Sequence, residues 1–115
     1  MEVPGANNNK FWVLWSEMLG TAMILVALNW GGTSGSFYSN NAPICIGMTV
    51  MVMVQTFGQI SGGHFNPAVT IGMMIKHKHD DPAFNIVYGQ VIMAFQILGA
   101  IGGCLLSTLG FVFFE

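Results

Sequence analysis

Ser61-Gly62-Gly63-His64-Phe65-Asn66-Pro67-Ala68-Val69-Thr70 is the stretch that decides the fold. Asn is a favoured helix N-cap, because its side-chain carbonyl accepts a backbone N–H left without a partner at a helix start. Pro at the first helical position has φ preset and gives up an N–H that had no partner anyway. A helix is therefore predicted to begin at Asn66-Pro67-Ala68. Yet an apolar run, Ile44 to Phe57, ends only a few residues earlier. A helix that starts afresh at membrane depth is a half-helix, and the broken backbone before it must face protein or a water-filled cavity. That is the geometry of a pore.

Composition puts this stretch in a membrane. The chain has 115 residues, 53% hydrophobic and 7% charged, where a soluble domain carries about 25% charged residues. The charges are Glu2, Lys10, Glu17, Lys76, Lys78, Asp80, Asp81 and Glu115, and only Glu17 lies inside an apolar segment. There is no arginine, and a net charge of −2 leaves no footprint for nucleic acid. The expected surrounding is a lipid bilayer. The polar start, residues 1–10, reads as neither a cleavable signal nor an Arg-rich transit peptide, so the first apolar segment is expected to be retained.

Three segments are long enough to span, at about 11–30, 43–59 and 83–111, with a half-helix at about 67–75. Twenty residues rise about 30 Å, one hydrocarbon thickness, whereas nine rise about 14 Å. Trp12, Trp15 and Trp30 lie near the ends of the first span, as in an aromatic belt. Gly31 to Asn41 is rich in Gly, Ser and Asn and reads as an exposed turn. A re-entrant half-helix returns to the side it came from, which places Lys10, Lys76 and Lys78 on one face. By the positive-inside rule that face, with the N-terminus, is cytoplasmic, or the matrix side in an organelle.

At these residues the chain resembles the aquaporins, the major intrinsic protein family of water and glycerol channels. Ile60 to Gly72 is similar to the family's first signature loop, and the likeness extends through Gly47, Gln55, Gly58, Glu17, Thr21 and Gln90. It covers roughly residues 11–110, and it covers only the first half of such a channel. The resemblance implies an all-α membrane protein, an aquaporin-like half-domain over residues 11–115 with three transmembrane helices and one re-entrant half-helix.

The pore candidates are Asn66, Pro67, Ala68, Gly62, Gly63, His64 and Ile46. With the Asn66 carbonyl used as a cap, its amide N–H₂ is available to a passing water or hydroxyl. The half-helix N-terminus adds a partial positive charge that opposes cations and protons. Gly62, Gly63 and His64 must be non-helical, with carbonyls directed along the pore. His64 reads either as pore-lining, which the resemblance implies, or as a packed histidine with one hydrogen-bond partner. By resemblance, Glu17 anchors the re-entrant loop through backbone N–H groups, and Gln90 makes a similar contact from the third span; a proton relay is the alternative for an intramembrane carboxyl group. Ile46 stands where family channels carry a filter residue, usually Phe, His or Trp, and the filter's Arg and the second Asn-Pro-Ala have no counterpart in the chain.

Gly99, Gly103 and Ser107 recur every four residues and mark a packing face, within the unit or toward a partner. Cys45 and Cys104 read as two buried thiols. His77, His79, Asp80 and Asp81 read as a solvated loop rather than a metal site, and no cofactor is expected. No nucleophile–base pair rises above chance, so an enzyme is not expected.

The functional expectation is a half-unit for passive passage of water or small neutral solutes, needing a complementary half-channel to close a pore. The alternative is a non-conducting accessory subunit of a larger membrane complex. A third is a segment of a longer channel, for which Met1 looks a natural start and Glu115 an artificial end.

Overall fold

The computed structural model describes residues 10–32, 41–76 and 82–114. Four helices follow in order: α1 (Lys10–Gly32), α2 (Ala42–Ser61), α3 (Pro67–Lys76) and α4 (Pro82–Phe114). The stretches Lys10–Gly31, Ala42–Ser61 and Ile86–Phe113 are long and apolar enough to cross a membrane, and α3 is a shorter apolar helix. Over its described residues the chain is thus an all-α, multi-pass membrane protein, three spans and one half-length helix, as the sequence led one to expect. The expected turn over residues 33–40 and the polar loop holding His77, Lys78, His79, Asp80 and Asp81 lie outside the described residues.

Helix α1 is the centre of the arrangement. It packs against α2 and α4, and α3 packs against α4; no other pair of helices meets among the described residues. Apolar side chains gain nothing by leaving lipid, so close packing and hydrogen bonds must hold the spans together. The repeat of small residues on α4 provides the close packing. A Cβ on Gly99 would collide with the Met18 carbonyl oxygen, and one on Gly103 with that of Ala22. The small face is therefore turned inward, against α1. One step further along, Asn29 Nδ2 donates to Ser107 Oγ at 2.8 Å and Trp30 Nε1 to the Ser107 carbonyl at 3.4 Å.

The buried positions of α4 are Gly89, Ile92, Gln96, Gly99, Gly103 and Ser107. Their spacing of three and four residues is one helical face. By contrast, α2 buries no residue fully. The cysteines differ from expectation: Cys45 is half-buried and Cys104 is exposed, because Cys104 follows Gly103 and so points away from the α1 contact.

Candidate functional site: the loop before the half-helix

α2 ends where Gly62 takes a left-handed φ of 89° and its N–H returns to the Gly58 carbonyl at 2.9 Å. Gly63 follows at φ 68°, and Phe65 has φ 48° although it is not glycine. Glycine adopts such angles freely, whereas a bulky residue must be held there by its surroundings.

Glu17 does the holding. It is fully buried. Its Oε1 accepts from the His64 N–H at 2.9 Å and from Ser61 Oγ at 2.6 Å. Its Oε2 accepts from the Phe65 N–H at 2.7 Å and from Gln96 Nε2 at 2.8 Å. Two consecutive backbone donors that helix geometry would have used are thus satisfied by one carboxyl group on α1. Ser61 Oγ also accepts the Gly63 N–H at 3.1 Å, so the loop is tied at three successive residues.

Gln96, also fully buried, extends the network into the half-helix. Its Nε2 lies 3.0 Å from Thr70 Oγ1 and donates to Glu17 as well, a pairing that fixes which way the amide is turned. Thr70 Oγ1 is also 3.2 Å from His64 Nδ1. The chain Glu17–Gln96–Thr70–His64 therefore joins α1, α4, α3 and the loop.

This geometry corrects the reading of the third span. Gln90 is exposed, and the glutamine beside Glu17 is Gln96. Six residues on a helix amount to 600°, so the two side chains leave α4 about 120° apart. A sequence signal was available: Gln96 is three residues before Gly99 and seven before Gly103, in register with the inward face. Ser61 and Thr70 belong to the signature loop, yet the sequence alone assigned neither a role.

Asn66 caps α3: its Oδ1 accepts the Ala68 N–H at 2.9 Å, and its carbonyl accepts the Thr70 N–H at 3.1 Å. Asn66 and Ala68 are exposed, Pro67 and His64 half-buried. α3 has 10 residues, which rise about 15 Å, half the hydrocarbon thickness. Ile46 is half-buried near Gly31 at the far end of α1. Fifteen residues of helix, about 22 Å, separate it from Ser61, so the structure does not bring it to the loop. Among the described residues no group of three His, Cys, Asp or Glu side chains could hold a metal ion.

Three spanning helices and a capped half-helix, tied by a buried carboxyl to a non-helical loop, define a class of membrane protein. The model of the major intrinsic protein family (MIP) matches residues 7–112, and the chain belongs to that family. It is similar to aquaporin-4 of Homo sapiens, 42% identical over 78 residues that cover 66% of this chain and 23% of that protein. Aquaporin-4 of Mus musculus is 35% identical over 107 residues, 86% of this chain and 32% of its own length. A glycerol uptake facilitator protein-like 6 of Lactiplantibacillus plantarum is 34% identical over 91 residues, 75% of this chain and 40% of its own. The chain thus spans about a quarter to a third of the aquaporin-4 relatives it matches. No solved structure matches it.

Proposed function

We propose that the chain is one half of a passive channel for water or small neutral solutes, with the pore closed by a second, inverted half. The observation that carries this reading is the capped, exposed start of α3 at Asn66, presented by a loop that Glu17 holds open. Folds built from inverted repeats place their site near the midplane between the repeats, often at half-helix ends. The names of the relatives, aquaporin and glycerol uptake facilitator, support water and small neutral solutes as the substrate class.

In this role Asn66 donates its amide protons to solute oxygens passing the half-helix N-terminus. The partial positive charge there, about half an elementary charge, disfavours cations. Gly62, Gly63 and His64 line the approach, Ile46 lies toward the opposite end, and Glu17 is a scaffold for the loop. Lys10, Lys76 and Lys78 put the N-terminus on the cytoplasmic or matrix side.

A non-conducting accessory subunit is the second reading. It is favoured by α2, which buries no residue fully and so presents its length to a partner or to lipid. Native mass spectrometry of the chain extracted gently from its membrane separates the two. Association with one complementary inverted unit supports the channel; an assembly of unrelated subunits with no such unit refutes it.

A further inference from the structure

Phe65 is held in its left-handed conformation from two points of α1, one turn apart. Glu17 Oε2 takes its N–H, and three residues later Gly20 makes room for its ring. A Cβ on Gly20 would collide with the near edge of that ring, at Cδ1 and Cε1. The ring is buried, one of only three buried apolar side chains among the described residues, with Val13 and Ile92. A ring so buried must shift to admit any atom added at position 20. The next residue is Asn66, whose Oδ1 caps α3.

We propose that Gly20 and Phe65 form a size-matched seat that sets where Asn66 stands, making both of them positioning residues for the half-helix start. Glu17 holds the backbone N–H groups of His64 and Phe65 against α1. The ring in its seat fixes the rotation of residue 65, and so the direction in which the adjoining Asn66 leaves the backbone. A methyl group at position 20 evicts the ring, residue 65 relaxes from positive φ, and the Asn66 cap is lost. A smaller side chain at position 65 leaves space for that methyl and restores the cap. The bearing on transport rests on the channel reading; the bearing on the cap does not.

The test is amide hydrogen exchange of the isotope-labelled chain in lipid nanodiscs, comparing wild type, Gly20→Ala, Phe65→Ala and the double variant Gly20→Ala/Phe65→Leu. A cap of ordinary strength corresponds to about a fivefold to tenfold effect on opening. Gly20→Ala and Phe65→Ala are each expected to speed exchange at Ala68 by about that factor, while amides on the inward face of α4, at Gly99 and Gly103, change less than about twofold. The double variant is expected to return Ala68 to within about twofold of wild type. Unchanged exchange at Ala68 in Phe65→Ala overturns the proposal. So does loss of protection at Gly99 and Gly103 in parallel with Ala68, which marks general packing damage, or a double variant no better than Gly20→Ala. If Gly20→Ala does not fold, Phe65→Ala alone tests the seat through the same Ala68 amide.

Discussion

Replacing Glu17 by Gln keeps the shape of the side chain and removes one acceptor oxygen. Glu17 receives four hydrogen bonds, two on each oxygen. A Gln amide offers one acceptor oxygen and one N–H₂ donor. With its oxygen toward Phe65 and Gln96, the N–H₂ faces Ser61 Oγ and the His64 N–H. The Ser61 hydroxyl can adapt, since it already lies 3.4 Å from the Phe57 carbonyl and can donate there. The His64 N–H cannot adapt. The opposite orientation strands the Phe65 N–H against a donor, with Gln96 Nε2 beside it. The better arrangement thus loses one charge-assisted bond outright, leaves one donor unpaired and weakens the remaining pair, for a cost of about 3 kcal/mol. That is a large fraction of a domain's usual stability of about 5–15 kcal/mol. Unfolding in mixed detergent micelles, followed by tryptophan fluorescence, reads it directly. A loss below about 1 kcal/mol would refute the anchoring role. Full stability with abolished proton flux would point instead to a relay.

The other expectations rest on the same contacts. Gly99→Ala and Gly103→Ala should each destabilise by about 1–3 kcal/mol, because the new methyl meets a carbonyl of α1; Gly102→Ala, with nothing within 4 Å, should be neutral or slightly stabilising in the same detergent titration. Gln96→Leu should cost about 2–3 kcal/mol by taking a partner from both Glu17 and Thr70, whereas Gln90→Leu, at an exposed site, should stay within about 0.5 kcal/mol. Asn66→Ala should cost about 1 kcal/mol through the lost cap to Ala68, and circular dichroism should show the rest of the helix content unchanged.

The elements that obey strong local rules were legible in the sequence. The three spans announce themselves by length and apolarity, and Asn66-Pro67 announces a helix start by cap chemistry alone. The buried Glu17 stands out because an ionisable group in a span has to be accounted for. What was not legible depends on facing. The likeness pointed to Gln90, whereas the register of α4 puts Gln96 with Gly99, Gly103 and Ser107 on the inward side. Cys104 fails as a buried thiol for the same reason. The small-residue face could not be directed toward α1 or a partner until the Met18 and Ala22 carbonyls were seen against it. The positive φ of Phe65 had no sequence signal, since nothing in a phenylalanine advertises a left-handed backbone. It follows from the hydrogen bond to Glu17 and the space at Gly20, both supplied from residues more than forty positions away.

The proposed lining of a pore by the half-helix start at Asn66, once a second half is present, is open to direct measurement. The direct measurement is stopped-flow osmotic shrinkage of liposomes containing the gently extracted particle, wild type beside Asn66→Ala. A pore lined by Asn66 should give water permeability well above that of empty liposomes, with a clear change on Asn66→Ala. Permeability no greater than that of empty liposomes, or permeability indifferent to the loss of Asn66, would contradict it.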